Sequence, residues 1–307
     1  MRRSAISRVT LALAVFVAAR CIGAPAGEEP KAWTFAAFAD NRSAHERPKD
    51  SFEGVLTEIR TMTANPDRRF APIEFAVGVG DIKLSADNHK NWDLWLRAFE
   101  GVTNAPAFFP VIGNWDAGDE AFSRSTVLPA QRGVVGKDPA NYYADWKNVR
   151  VIVSEEAAFV ESAIQSAPTG IAHVFVANHY PVFPRHEYAA KPSAKGVEYW
   201  NTLLKHKDRV RALLVGHTHT YSRMRVANPL GDAQDPKSFP NEQGGIYQID
   251  CGNAGRSGHG DPATTIVEVL VDGGNLAFRV VQAPNATPFA FKVVDAWTIQ
   301  SASGGTK

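Results

Sequence analysis

The most informative pattern in the chain is Val210-Arg211-Ala212-Leu213-Leu214-Val215-Gly216-His217-Thr218-His219. A short, mostly apolar run such as its first six residues is typical of a strand buried in a sheet. The run ends at a glycine, and two histidines follow with one residue between them. A His-x-His pair also occurs on ordinary surface loops, but imidazole is the commonest metal ligand among side chains. The segment therefore predicts a strand with two candidate ligands at its end.

Four earlier apolar runs end in the same way, each at a side chain that can bind a metal or a phosphate. These runs are residues 33–39 before Asp40, 75–79 before Gly80-Asp81, 107–112 before Gly113-Asn114, and 173–177 before Asn178-His179. Taken singly, Gly-Asp and Gly-Asn are ordinary turn residues. Ligand sites of α/β proteins lie beyond the carboxyl ends of the strands, so the five runs together predict that these side chains meet at one rim.

The rest of the chain alternates between helical and strand patterns. Apolar residues at helical spacing predict helices over 52–62, 92–99, 155–165 and 198–205. Residues 141–153 predict a hairpin, and further strands are predicted over 221–226, 245–249, 264–271, 276–281 and 289–298. Strands that alternate with helices in this order indicate a layered α/β fold.

The N-terminus predicts a secretory signal peptide. Three arginines precede an apolar run over 9–19, and the small residues Gly23 and Ala24 follow. The run is too short for a normal membrane span, although an uncleaved anchor is the alternative. We therefore expect an exported protein, periplasmic or secreted, with a signal peptide over 1–24, a linker over 25–32 and one domain over 33–300. No transmembrane span is expected after the signal is removed.

The composition suits a globular protein and disfavours a nucleic-acid partner. The 307 residues are 44% hydrophobic and 21% charged, and the formal net charge is +1. Basic residues form no long run, whereas binding to the phosphate backbone of a nucleic acid requires clustered positive charge. No stable nucleic-acid partner is expected, and a nuclease is a weaker alternative.

The candidate residues share a chemistry that suits metal binding. Carboxylate, amide oxygen and imidazole are ligands for Mn, Fe, Zn or similar ions. Two metal ions about 3.5–4 Å apart can polarise a phosphoryl group and hold a nucleophilic hydroxide in line with the leaving oxygen. The pattern therefore predicts a two-metal site built from Asp40, Asp81, Asn114, His179, His217 and His219.

The order of these motifs resembles that of the calcineurin-like metallophosphoesterase superfamily. The matching stretches are Ala39-Asp40-Asn41-Arg42, Gly80-Asp81, Gly113-Asn114-Trp115-Asp116, Asn178-His179-Tyr180-Pro181 and Gly216-His217-Thr218-His219. Their style is nearest to the purple acid phosphatase branch. The resemblance implies a metallo-dependent phosphatase-like α/β fold, a four-layer αββα sandwich of two mixed sheets packed face to face with helices outside.

The resemblance also implies a role for each ligand. Asp81 would bridge two divalent or mixed-valence metal ions, drawn from Fe, Mn or Zn, and Asp40 and His219 would hold the first ion. The ligands of the second ion would be Asn114, His179 and His217. The implied activity is metal-dependent hydrolysis of a phosphate monoester or diester by a metal-bridging hydroxide. The substrate would be a phosphorylated small molecule or a phosphodiester.

Two positions depart from the family pattern. Arg42 stands where the first motif often has a histidine ligand, so the first metal has one protein ligand fewer. We expect the Arg42 guanidinium to clamp a phosphate oxygen, with Asp81 and Asn114 as the other catalytic residues; a solvated loop arginine is the alternative. Trp115 stands where the third motif has a histidine, and an indole cannot transfer a proton in that way. These departures favour an alternative function, that of a catalytically weak or inactive relative that binds a phosphorylated ligand or a cell-surface polymer.

Overall fold

The computed structural model describes much of the chain between Ala32 and Gln300. The described residues are 32–41, 55, 58, 61, 70, 73–82, 107–116, 134–138, 140–185, 190–230, 241–255, 260–284 and 288–300. They belong to one compact unit, Ala32–Lys307. The predicted signal peptide, Arg42 and the helix predicted over 92–99 lie outside the described residues, so export and the domain boundaries stay predictions.

Thirteen strands and two helices with defined bounds occur in this part of the chain. In chain order they are β1 (Trp33–Phe38), β2 (Ile73–Val79), β3 (Ala107–Val111), β4 (Val134–Asp138), β5 (Asn141–Trp146), β6 (Val149–Val153), α1 (Ala157–Gln165), β7 (His173–Ala177), α2 (Ala194–Lys205), β8 (Val210–Val215), β9 (Tyr221–Val226), β10 (Ile246–Cys251), β11 (Ala263–Asp272), β12 (Asn275–Pro284) and β13 (Lys292–Ile299). Val55, Glu58 and Thr61, within the helix predicted over 52–62, are also helical. Neither α1 nor α2, nor any other helix among the described residues, is long and apolar enough to cross a lipid bilayer.

The strands form two mixed sheets. The first has the order β13-β12-β11-β1-β2-β3, and the second has the order β4-β5-β6-β7-β8-β10-β9. In the first sheet β1, β2 and β3 are parallel, whereas β11, β12 and β13 pair antiparallel. In the second sheet β6, β7, β8 and β10 are parallel, and β4, β5 and β9 pair antiparallel towards its two edges.

The two sheets pack face to face around one large hydrophobic core. Phe35 of β1 and Phe175 of β7 meet edge to face within it, with ring centroids 4.9 Å apart. Successive side chains of a strand point to opposite faces of the sheet. Ala36 and Phe38 of β1 therefore lie in a second cluster on the other face of the first sheet, where the helical residue Val55 packs against them.

Helices α1 and α2 cover the outer face of the second sheet. Val160 of α1 and Trp200 of α2 are buried in one cluster with Leu213 of β8. The side chain of Ser193 caps α2, since it accepts a hydrogen bond from the Gly196 backbone N–H at 3.1 Å. The order helix, sheet, sheet, helix confirms the predicted four-layer αββα sandwich.

Most predicted elements agree with the structure, and the differences have local causes. The hairpin is confirmed, since β5 and β6 pair antiparallel around a turn in which Lys147 has a φ of 52°. Helix α2 begins at Ala194, earlier than the predicted start at 198, because its first turn carries little apolar pattern. Strand β4 is not predicted, since Gly136 with a φ of 84° and the exposed Val135 break the alternation that marks a strand.

The parallel strands bring their carboxyl ends to one rim of the sandwich. In the first sheet Phe38 pairs with Gly78, and Gly78 pairs with Pro110, so the segments after β1, β2 and β3 leave the sheet side by side. In the second sheet Ala177 of β7 pairs with Leu214 of β8. The rim is therefore built from the loops that carry the candidate residues.

Candidate metal centre

All six predicted ligands lie together at this rim. Asn114 is exposed and His217 is half-buried. The buried ones are Asp40, Asp81, His179 and His219. The role of each as a ligand stays a prediction, as does the role of Arg42 outside the described residues.

Carboxylate and imidazole groups approach each other in pairs across the rim. His219 Nε2 lies 3.3 Å from Asp40 Oδ1, and His179 Nε2 lies 3.6 Å from Asp81 Oδ1. Candidate ligand atoms of Asp40, Asp81 and His179 all lie within 4.8 Å of one another. Nitrogen and oxygen donors that converge at this spacing can share a metal ion.

The hydrogen bonds of His179 determine which of its ring nitrogens can act as a ligand. Nδ1 lies 3.0 Å from the backbone oxygen of Val79, and a carbonyl only accepts, so Nδ1 carries the proton. In the neutral ring Nε2 then presents a lone pair, 3.1 Å from Asn114 Oδ1 and close to Asp81 Oδ1. Lone pairs that face one another repel unless a proton or a metal ion lies between them, so this part of the rim can hold a metal ion.

His217 joins the group through its backbone and its ring. Its backbone N–H donates to Asp40 Oδ2 at 2.8 Å. Its ring centroid lies 5.2 Å from that of His179 and 4.7 Å from that of Tyr180. The imidazole therefore contacts the rings of His179 and Tyr180 and keeps part of its surface exposed to solvent.

Four of the predicted ligands have a left-handed backbone. The φ angle is 53° at Asp40, 51° at Asp81, 72° at His217 and 58° at His219. In the part of the chain that the structure describes, the one other non-glycine residue with positive φ is Lys147 in the β5–β6 turn. Such a conformation costs a non-glycine residue roughly 1–3 kcal/mol and is concentrated at functional sites. The strain thus marks the rim as a functional site independently of its side-chain chemistry.

Two motif glycines allow the ligand loops to approach closely. A Cβ atom on Gly80, whose φ is 82°, would lie 2.3 Å from His179 Nδ1. A Cβ atom on Gly216 would lie 2.7 Å from Ala39 Cβ and 2.8 Å from Asp40 Oδ2. Each glycine belongs to one sheet and faces a residue of the other, so glycine at these places lets the two sheets share one rim.

Comparison with known proteins identifies the fold. The sequence matches no family model and no curated protein. A dimetal phosphatase from Danio rerio is similar in structure, with a TM-score of 0.60 and 12% identity, over 88% of this chain and 99% of that one. GAP50, the anchor in the inner membrane complex of Plasmodium, has a TM-score of 0.55 and 13% identity, over 88% of this chain and 89% of that one. The chain has the calcineurin-like metallophosphoesterase fold.

The sequence analysis assigned no role to Asp116, which the structure places behind the rim of candidate ligands. Its carboxylate is fully buried and accepts hydrogen bonds from the backbone N–H groups of Gly113 at 2.9 Å and Ile82 at 3.1 Å. It therefore ties the loop after β2 to the loop after β3. The sequence feature that could have pointed to Asp116 is its position two residues after the candidate ligand Asn114, in the same motif.

Two further acidic residues support the loop of the His-x-His pair. Asp250 Oδ2 accepts a hydrogen bond from Thr218 Oγ1 at 2.6 Å, and burial raises the pKa of the Asp250 carboxyl well above its ordinary value. Asp261 Oδ2 accepts from the Tyr221 N–H at 2.9 Å, and the Asp261 N–H donates to the His219 oxygen at 2.8 Å. Asp250 follows the apolar run 245–249, the same pattern that singled out the predicted ligands.

Replacement of Asp116 by asparagine is expected to weaken metal binding about 10–100-fold and to lower the free energy of unfolding by about 1–3 kcal/mol. In the unchanged chain both backbone N–H groups donate to the carboxylate. In the variant the NH₂ group of the asparagine would face one of these N–H groups, so two donors would oppose each other and one would lose its acceptor. Calorimetric metal titration and urea denaturation measure the two effects. Asp138→Asn is the matched control, because Asp138 also accepts from a backbone N–H, that of Ala140 at 3.0 Å, but on an exposed turn. Equal affinities in the two variants would contradict the role given to Asp116.

Proposed function

We propose that the chain is a metal-dependent phosphoesterase that hydrolyses a phosphate monoester or diester at this rim. The observation that supports the proposal most is the convergence of Asp40, Asp81 and His179, whose candidate ligand atoms lie within 4.8 Å of one another. His219 and Asn114 contact this group through Asp40 and His179. The similarity in fold to a dimetal phosphatase also supports it.

The donor atoms at the rim fit two ions of the Fe, Mn or Zn type, which accept both oxygen and imidazole ligands. The proposed ligands are Asp40 and His219 for one ion, Asn114, His179 and His217 for the other, and Asp81 for both. When bound, two such ions polarise a phosphoryl group and activate water as the nucleophile.

The residues of the chain orient the carboxylates and receive the substrate. The Trp115 backbone N–H donates to Asp81 Oδ1 at 2.8 Å, and the His217 N–H donates to Asp40 Oδ2, so each carboxylate keeps one orientation. Trp115 and Tyr180 leave 39% and 42% of their surface exposed and offer aromatic contact to the alcohol group of the ester. In the proposed mechanism Arg42 binds a phosphate oxygen through its guanidinium.

Metal content and turnover, measured on one sample, test the proposal. We expect elemental analysis of protein purified without added metal to give about two ions per chain, and the same sample to hydrolyse 4-nitrophenyl phosphate. A chelator should abolish turnover, and added Mn, Fe or Zn should restore it, because the ions supply the chemistry. One ion or none, with no turnover after the ions are added, would refute the proposal.

A second function, from another class, is binding without turnover. A catalytically weak or inactive relative would bind a phosphorylated ligand or a cell-surface polymer at the same rim. Trp115 favours it, because an indole cannot protonate a leaving group, and the similar fold of GAP50 belongs to an anchor. Retention of five candidate ligands favours the enzyme: Asp81, Asn114, His179, His217 and His219. Binding of a phosphate ester to the metal-loaded chain without hydrolysis would support this second function.

A further inference from the structure

A groove lies beside the proposed metal centre, along the ends of β6 and β7. It has two lobes, cavities of about 290 Å³ and 300 Å³, each near the lower end of the range for small-molecule sites. Glu155, Asn178 and Lys195 line both lobes. The two lobes are therefore neighbours that share part of their walls, and together they are called the β6–β7 groove below.

The groove adjoins the centre through Tyr180, which follows His179 in the chain. Tyr180 lines the second lobe together with Glu155. Its ring centroid lies 5.1 Å from that of His179 and 4.7 Å from that of His217. An ester whose phosphate lies at the proposed centre can thus extend its alcohol group past Tyr180 into the groove.

Asn178 supplies a buried hydrogen-bond acceptor in the wall of both lobes. The residue is 4% exposed, and its side-chain oxygen accepts no hydrogen bond from any residue that the structure describes. The nearby Tyr199 hydroxyl donates to the Ser154 backbone oxygen at 2.7 Å and so does not donate to Asn178. Buried polar atoms are nearly always paired, so this oxygen can accept a hydrogen bond from water or from a ligand in the groove.

The charged residues of the groove offer both acceptors and donors. Glu156 accepts from Asn141 Nδ2 at 3.2 Å and belongs to the scaffold, whereas the exposed Glu155 faces both lobes. Lys195 lines both lobes and Lys191 lines the second, and both are exposed. A hydroxyl group donates and accepts, so several hydroxyls satisfy this mixture, whereas an alkyl chain leaves the acceptors without donors.

We propose that the β6–β7 groove binds the alcohol portion of the phosphoester, and that this alcohol is a polyol such as a sugar. The inference rests on the proposed function and adds a substrate class to it. Hydroxyls of the polyol donate to the Asn178 oxygen and the Glu155 carboxylate and accept from Lys195. The C–H face of a sugar ring packs on the exposed ring of Tyr180.

The test compares two six-carbon esters, glucose 6-phosphate and n-hexyl phosphate, on the metal-loaded full chain. We expect kcat/KM to favour glucose 6-phosphate by at least about tenfold, because the alkyl ester leaves the groove acceptors unpaired. Glu155→Ala should lower that ratio several-fold. The matched control is Glu198→Ala, an exposed glutamate of α2 that does not line the groove, and it should keep the ratio. Equal kcat/KM for the two esters, or a ratio indifferent to Glu155→Ala, overturns the inference.

A binding measurement separates failure of this inference from failure of the proposed function. If neither these two esters nor 4-nitrophenyl phosphate is hydrolysed, the phosphoesterase proposal fails. Titration calorimetry with glucose 6-phosphate and n-hexyl phosphate then tests the groove by itself. Tighter binding of glucose 6-phosphate that Glu155→Ala weakens supports the groove as a polyol site. Equal binding of the two compounds, or no binding of either, overturns it.

Discussion

Asp81→Asn is expected to lower kcat/KM for 4-nitrophenyl phosphate by about 10³-fold or more. The Asp81 side chain is buried, and its Oδ1 lies 2.8 Å from the Trp115 N–H and 3.6 Å from His179 Nε2. Asparagine keeps the shape of the residue but loses the negative charge that two ions share in the proposed centre. We therefore expect both ions to be lost together, as measured by elemental analysis of the purified variant.

Asp272→Asn is the control for this substitution. Asp272 is exposed at the turn between β11 and β12, next to Val271, which pairs with Trp33 at the start of β1. It therefore lies at the end of the first sheet opposite to the rim. This variant should keep both metal content and turnover. Turnover and metal content that stay intact in Asp81→Asn would contradict a centre with two ions.

Gly113→Ala should disrupt the same centre through the backbone. The new Cβ atom would lie 2.3 Å from the Asp81 backbone nitrogen and 2.4 Å from Asp81 Oδ1. A backbone atom cannot swing aside as a flexible side chain does, so the loops after β2 and β3 must separate. Overpacking of this kind costs about 1–3 kcal/mol or more of stability. We expect a lower melting temperature and a loss of turnover of at least about 10²-fold, since a displacement of about 1 Å at a reacting centre has that effect.

Gly170→Ala is the matched control, because a Cβ atom on Gly170 would meet nothing within 4 Å. It should leave turnover unchanged and shift the melting temperature little. If Gly113→Ala behaves like Gly170→Ala in both measurements, the close approach of Gly113 and Asp81 is not required for the centre.

The parts of the fold that local sequence determines were predicted well. Strands β7 and β8 have the predicted bounds, because each is a mostly apolar run that ends sharply at a polar residue or a glycine. Strand β9 also has the predicted bounds, and its buried residues alternate with half-buried ones. The end of each run also indicated where the chain leaves the sheet. Placement of Asp40, Asp81, Asn114, His179, His217 and His219 at one rim followed from that.

The remaining features depend on contacts between distant residues. Strand β1 pairs with β11, for example Thr34 with Leu270, and no local pattern predicts that pairing. The left-handed backbone of Asp40 likewise depends on its surroundings, including the hydrogen bond from its N–H to the Gly80 oxygen at 3.0 Å. Asp250 was missed for a related reason: its partner Thr218 is distant in the sequence, and the residue lies just beyond the strand predicted over 245–249.

The hydrogen bond from the His217 N–H to Asp40 Oδ2 joins residues 177 positions apart, and this separation sets an order of events during synthesis. A chain made from its N-terminus presents Asp40 and Asp81 long before His219 exists. A chain that stalls just before β8 therefore carries the other proposed ligands without His217 and His219, which would complete the proposed centre. In the proposed centre the full set of ligands therefore exists only after the His-x-His segment has been synthesised. The metal content of a preparation would then measure the fraction of chains that are full-length and have folded with both sheets in contact.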